Sequence, residues 1–252
     1  MRFSIVCPNW EEMPVFRDWF LRSLEAQTFS DFEVIVVDGG SKDESYYAAL
    51  ESGLDIMFFI DDTRNIGYIR DRGCRLARGE IVFNTSSDVY LPPRLLEELD
   101  AFFTENCDAI ALSGRTRPSS SLLAYLGYGG FDFVRWAMTR FTGRIRPSGN
   151  FFAIRRRDYL ASGGYPWVIF GEDGRFGERL DVYRRKHGGK VHFRLDLYVV
   201  HRVKRFEQRG SLRSIAFYLP SLARHVLPFM SPMLERVEGI YAEQFKNRSD
   251  LS

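Results

Sequence analysis

Four short apolar runs constrain this chain most: Phe3 to Cys7, Phe32 to Val37, Ile56 to Ile60 and Ile81 to Phe83. Each is apolar with little alternation and breaks off at a polar turn, at Pro8, at Asp38-Gly39-Gly40-Ser41, at Asp61 and at Asn84. An unbroken apolar run suits a strand buried on both faces, as in a parallel sheet covered by helices. The stretches between them have helical character. In Pro14 to Ala26, Val15, Trp19, Leu21 and Leu24 can share one face. Ser41-Lys42-Asp43-Glu44 has the spacing of a capping box. Ile66 to Arg78 reads as a helix, with Gly79 as its C-cap. Strands alternating with helices at this pitch predict a parallel, doubly wound α/β sheet, whose ligands bind beyond the carboxyl ends of the strands.

The second half is less regular. Strands are expected at Ala109 to Ser113, Asn150 to Arg155, Lys190 to Phe193 and Leu197 to His201. Helices are expected at Ser119 to Arg144, Arg157 to Ser162 and Glu172 to His187. From Ser211 a helical segment is broken by Pro220, Pro228 and Pro232. No linker interrupts the chain near residue 110, so one domain over 1–210 is expected, with a change of role at about 110, and a helical tail over 211–252.

Composition excludes some classes. At 45% apolar the 252 residues can bury a sizeable core. A formal charge of +2 makes no global case for nucleic acid. The charge is uneven, since seven arginines and no acid lie between Phe133 and Arg157. Cys7, Cys74 and Cys107 are odd in number and far apart, so they suggest neither a disulfide framework nor a metal site. Buried thiols in a reducing, cytoplasmic setting are expected. The opening MRFSIVCPNW reads as a strand and not as a signal peptide, and no apolar run is long enough to span a membrane.

Charged residues fall where this sheet would gather them. Asp38 ends the second strand, Asp88 follows the fourth, Arg70 lies on the helix before it, and Asp173 opens a late helix. Asp88 reads as holding a divalent cation against a nucleotide diphosphate, or else as a loop aspartate. Asp38 before glycines is also a common turn former.

These residues carry a resemblance. SIVCPNWEE resembles the opening strand and P-x-Y-N-E turn of the GT-A fold, family 2 glycosyltransferases, with Trp10 in the aromatic place and Glu11 where asparagine is usual. EVIVVDGGSKD resembles V-V-D-D-G-S-x-D, with Gly39 in place of the second aspartate. Asn65-Ile66-Gly67 and Arg70-Asp71-Arg72-Gly73 resemble N-x-G and A-R-N-x-G. RGEIVFNTSSDVYLPP resembles G-E-x-I-x-F-L-D-A-D-x-x-x-P. GNFFAIRRRDYLASGGYP, GEDGRFGERL and His201-Arg202 with Arg205 resemble the acceptor-side, E-D and late H-R-x-x-R segments. The matches run in order from residue 3 to 210.

The resemblance implies a GT-A (Rossmann-like), mostly parallel α/β sheet flanked by helices, with 1–110 binding the nucleotide and 111–210 the acceptor. It implies inverting transfer from a UDP- or GDP-sugar to a hydroxyl, glycan or polyprenyl-phosphate acceptor. Pro8, Trp10, Asp38, Arg70, Ser87 and Asp88 would hold the nucleotide, Asp38 and Arg70 at its base or ribose. Asp88 and His201 would ligate Mn²⁺ or Mg²⁺. Ser86 stands where the D-x-D motif has its first aspartate, so the cation would depend on diphosphate oxygens for the rest of its ligands. Arg202 and Arg205 would neutralise the leaving diphosphate. Gly149 and Asn150 fall on the acceptor side. Asp173 would be the catalytic base, with Glu172 the alternative. The apolar Ser211 to Pro232 run, with Arg213 and Arg224, either lies in a membrane interface or packs on the domain or in a homodimer. A nucleotide-binding protein that has lost transfer is the rival reading. A dehydrogenase is disfavoured, because no G-x-G-x-x-G follows the first strand.

Overall fold

The structure, a computed structural model, describes residues 1–203. The tail over 211–252 and Arg205 lie outside the described residues. In chain order the elements are β1 (Phe3–Asn9), a wide-turned π-helical stretch (Phe16–Leu21) that passes into α1 (Arg22–Glu25), β2 (Phe32–Asp38), α2 (Ser45–Glu51), β3 (Ile56–Ile60), α3 (Ile66–Leu76) and β4 (Ile81–Asn84). Then come β5 (Val89–Tyr90), α4 (Leu95–Glu105), β6 (Ala109–Pro118), α5 (Leu122–Thr142), β7 (Phe152–Arg155), α6 (Arg156–Ala161), α7 (Glu172–His187) and β8 (Lys190–His201).

One sheet runs β3-β2-β1-β4-β7-β6-β8-β5. The first four strands are parallel, as their apolar runs predict. In β1, β2 and β4 the two-sided burial is visible residue by residue, whereas the edge strand β3 is only part-buried and its Ile60 is exposed. Phe3, Ile5 and Cys7 enter one core layer with Val34, Val36, Ile81 and Phe83. Val6 enters the other with Ile35, Val37 and Val82. Alternate side chains of a strand point to opposite faces, and helices cover both. Each such side chain contributes about 1.5–3 kcal/mol by burial.

The sheet is mostly parallel, as expected, and its antiparallel pairs lie in the second half. β7 is antiparallel to both β4 and β6, and β5 is antiparallel to β8. The expected strands Lys190 to Phe193 and Leu197 to His201 are one continuous β8, whose pairing with β6 is interrupted by register shifts. Nor does Pro8 end β1, which runs on to Asn9. β4 pairs with β1 only as far as Val6, so at Pro8 one side of β1 has no ladder from β4 and the missing N–H costs nothing there.

Two local signals also play other roles. Ser41 does not cap α2. Its N–H and hydroxyl both donate to Asp38, and Asp43 Oδ1 accepts from the N–H and hydroxyl of Ser45 instead. Gly79 is not the C-cap of α3. A Cβ there would lie 2.6 Å from the Phe3 carbonyl carbon, so glycine is required for close approach to β1. Cys7 and Cys74 are buried as expected, but Cys107 is exposed.

The second half is held by buried charge pairs. On α5, Asp132 and Arg135 pair at 3.1 Å, Asp132 Oδ2 accepts from the Thr116 N–H of β6, and Arg135 donates to the Ser113 hydroxyl and the Arg146 carbonyl. Arg146 in turn pairs with Asp181 of α7 at 2.9 Å. This chain of contacts fixes the 143–150 loop between α5 and β7.

Candidate active site

The carboxyl ends of β1, β2 and β4 face one edge. The buried Cys7 thiol at the end of β1 reports what gathers there. Burial raises its pKa most, and the charges of Arg70, Asp88 and Asp38 all reach it.

Asp38 is the most heavily bonded of these groups. Oδ1 accepts from the N–H groups of Gly40 (2.9 Å) and Ser41 (2.6 Å). Oδ2 accepts from Asn9 Nδ2 (2.6 Å) and the Ser41 hydroxyl (2.7 Å). A carboxylate offers about four lone-pair positions, and this one uses them on its own loop. Asn9 is buried beside it, with Oδ1 unpaired. Sequence reading passed over Asn9, although it stands between Pro8 and Trp10. Trp10 is exposed, with Arg64 stacked 5.0 Å from its ring. It also covers Gly39, where a Cβ would sit 3.4 Å from Trp10 Cβ. Pro8 and Ser87 are buried behind this edge.

Asp88 leads into β5, and the β5–β8 pairing sets Val89 opposite His201. His201 Nε2 then lies 3.0 Å from Asp88 Oδ2, and the Arg202 N–H donates to the Asp88 carbonyl at 3.0 Å. His201 Nδ1 meets the Tyr128 hydroxyl of α5 at 2.9 Å. A cation on Nε2 requires the ring proton on Nδ1, where Tyr128 can accept it. Tyr128 carried no sequence signal, because only the fold brings α5 to β8. Among the described residues no cluster of three or more His, Cys, Asp or Glu side chains is placed to hold a metal. One carboxylate and one imidazole fit a cation that completes its shell with substrate phosphate oxygens, and the nitrogen suits Mn²⁺ better than Mg²⁺.

The third group lies on the first turn of α7. The Gly149 N–H donates to Asp173 Oδ2 at 2.8 Å, and Asp173 Oδ1 is buried without a partner. Glu172 Oε1 is 3.6 Å from Arg70 Nε. Burial, and then the adjacent Asp173, push the Glu172 carboxyl up to about 8. Arg70 is buried at the foot of both acids. Burial opposes its charge, but Asp173, Tyr165 and Glu172 outweigh that and raise its pKa. Its Nη1 donates to the Thr85 carbonyl at 3.1 Å, and the Thr85 hydroxyl donates to the Asn150 carbonyl at 3.1 Å. A Cβ on Gly149 would be 2.3 Å from Arg70 Nη2, so a larger residue there would push the guanidinium aside. Arg70, expected at the base or ribose, lies beside Glu172, with its Nε buried and without a hydrogen-bond partner.

The chain was compared with known proteins. A family model described as "Glycosyl transferase family 2" matches residues 4–162. A glucosyl-dolichyl phosphate glucuronosyltransferase of Haloferax volcanii is 22% identical over 71% of this chain and 48% of its own length. A putative glycosyltransferase, EpsH, of Bacillus subtilis is 30% identical over 31% of this chain and 24% of its own. The chain thus spans less than half the length of these curated relatives. Among solved structures, a Pyrobaculum calidifontis mannosyltransferase in complex with GDP-Man and Mn²⁺ superposes with a TM-score of 0.70 at 20% identity, over 93% of this chain and 68% of that one. TarS 1–349 of S. aureus in complex with UDP-GlcNAc superposes with a TM-score of 0.63 at 18% identity, over 92% and 73%. At these identities the structural likenesses speak for the fold, which is GT-A.

Proposed function

Because the chain belongs to glycosyl transferase family 2, we propose that it transfers a sugar from a nucleoside-diphosphate sugar to a hydroxyl or lipid-phosphate acceptor, with inversion. The observation that carries this reading is Asp173, a carboxylate with one oxygen fixed by the Gly149 N–H and the other unpaired. A bound acceptor hydroxyl supplies the missing donor. Asp173 takes its proton as the oxygen attacks the anomeric carbon, and the bond from that carbon to the diphosphate breaks with its electrons leaving on phosphate. Burial, and then the neighbouring Asp173, raise the Glu172 carboxyl to about 8, which makes it the poorer base at neutral pH. Arg70 holds both acids in place from below.

Asp88 and His201 would hold a divalent cation, which when bound supplies positive charge to the departing diphosphate. Arg202 lies next to them and adds charge, and Arg205 is assigned the same task from sequence. Trp10 offers a face to the base. Asp38 shapes the loop under it and keeps Asn9 in place. Asn150 and Gly149 form the acceptor-side wall. Complexes of family-fold proteins with GDP-Man and Mn²⁺ and with UDP-GlcNAc support a nucleotide-sugar donor of either base. A relative named for glucosyl-dolichyl phosphate supports an acceptor that carries a lipid phosphate. In this reading 1–110 serves the donor and 111–203 the acceptor.

The test is a thermal-shift screen of UDP- and GDP-sugars with and without Mn²⁺, followed by turnover with the stabilising donor. A specific donor raises the melting temperature by mass action. Stabilisation without turnover on any acceptor would favour a nucleotide-binding protein that has lost transfer. No stabilisation by any donor would overturn the proposal.

A further inference from the structure

Helix α5 is built inside out. Asp132, Arg135 and Thr139, spaced at three and four residues, face the sheet and are buried. Leu122, Leu126 and Phe133 share the opposite face, exposed by 79%, 66% and 61%, and Phe141 beside them is 77% exposed. A helix on the surface of a water-soluble domain carries the reverse pattern. Gly127, Gly129 and Gly130 lie in the same stretch, and a Cβ on any of them would meet nothing within 4 Å. A run of exposed large apolar side chains on one helix marks a surface that something covers.

The charge around this face says what covers it. Arg140 continues the stripe, one heptad beyond Phe133, and is exposed. Arg144 follows the helix, and the Arg184 guanidinium of α7 lies 3.4 Å from the position of a Cβ on Gly143. No acid occurs between Phe133 and Arg157, and Asp181, on which Arg144 and Arg184 both act, is buried and paired with Arg146. A second copy would bring this same acid-free stripe against itself. The 211–232 segment offers apolar side chains, but with Arg213 and Arg224 and no acid it leaves the arginines of this face without counter-charge. An anionic lipid surface meets both needs, with acyl chains for leucine and phenylalanine and phosphates for arginine.

We propose that the outward face of α5 docks this protein on an anionic bilayer surface, lying in the interface and not crossing it. Among the described residues no helix is long and apolar enough to cross. The inference stands apart from the transfer reading, since it needs no sugar. It adds a consequence to that reading. α5 leads through the 143–148 loop to Gly149 and Asp173, so a docked helix sets the acceptor side of the site at the headgroup layer.

The test is flotation of the full chain, without nucleotide or sugar, on vesicles of phosphatidylcholine alone and of equal parts phosphatidylcholine and phosphatidylglycerol. Wild type is expected to float with the anionic vesicles only, and added salt to release part of it. Leu126→Glu with Phe133→Glu should weaken binding at least about tenfold. Arg140→Glu should weaken it about fivefold or more. Both variants should keep the wild-type melting temperature, because these side chains are exposed. If the glutamate pair unfolds, Leu122→Ser with Leu126→Ser reads the same face. Wild type that stays off anionic vesicles at low salt overturns the proposal. So does wild type that binds while the α5 variants bind equally, which would move the contact elsewhere. A solution dimer that the double variant splits would assign the face to a second copy instead.

Discussion

Asp38 and Asp173 are both held by backbone N–H groups, yet they are opposite kinds of carboxylate. Asp38 accepts four hydrogen bonds over two oxygens, and its partners all belong to β1 or to its own loop. Asp173 has one oxygen on Gly149 and one with no partner. A saturated carboxylate stabilises a loop and has no lone pair to spare for a proton. A half-held one has fixed geometry and an open acceptor. Position at a strand or helix end does not distinguish the two; the count of donors around each oxygen does.

Four substitutions sharpen this contrast. Asp173→Asn keeps the shape and removes the base. Transfer should fall about 10²–10⁴-fold, with donor affinity by calorimetry unchanged, since the donor is held elsewhere. Full activity in Asp173→Asn with loss in Glu172→Gln would move the base by one residue. Asp38→Ala should act first on stability. Its bonds are those of an ionised acceptor, each contributing about 1.5–3 kcal/mol, so an urea midpoint should drop by far more than in Asp173→Asn. A midpoint equal to wild type would end the distinction drawn between the two aspartates. Tyr128→Phe removes the group that fixes the His201 ring. Groups in that position typically change metal affinity about 10–100-fold, so Mn²⁺-dependent donor binding should weaken while metal-free binding stays.

The smallest effect concerns Glu172 and pH. Its carboxyl sits at about 8 in the folded chain against an ordinary 4.5. The folded state therefore binds this proton more tightly than the unfolded one. The stability it confers is present below the ordinary value and is lost as pH rises through about 8. Urea midpoints across that window should fall more steeply in wild type than in Glu172→Gln, and the variant should be the more stable of the two at the alkaline end. Parallel slopes would remove Glu172 as the protonated neighbour of Asp173.

Much of the donor-side half was legible in the sequence. Apolar runs such as Val34 to Val37 and Ile81 to Phe83 read as buried strands, and the residues after them had to fall on one edge. Asp88 and His201, both read as cation ligands on family resemblance, lie 3.0 Å apart in the fold. Less was legible where residues serve partners other than the ones their spacing suggests. Ser41 looked like a cap and serves Asp38, and Gly79 looked like a helix end and makes room for β1. Nothing in the sequence near Arg70 announced Glu172, which α7 brings beside it from a hundred residues on.

The sequence by itself determined the α/β class, the family and the acids to watch, because hydrophobic periodicity and motif spacing are local and survive in a string. The tertiary structure decided which of those acids is saturated, which is open, and which face of α5 is left outside. Asp38 is filled mostly by its own loop, but the open oxygen of Asp173 and the outward face of α5 depend on distances to atoms far along the chain. No local pattern contains that information, because a lone pair is filled or left empty only when the sheet has brought its neighbours into place.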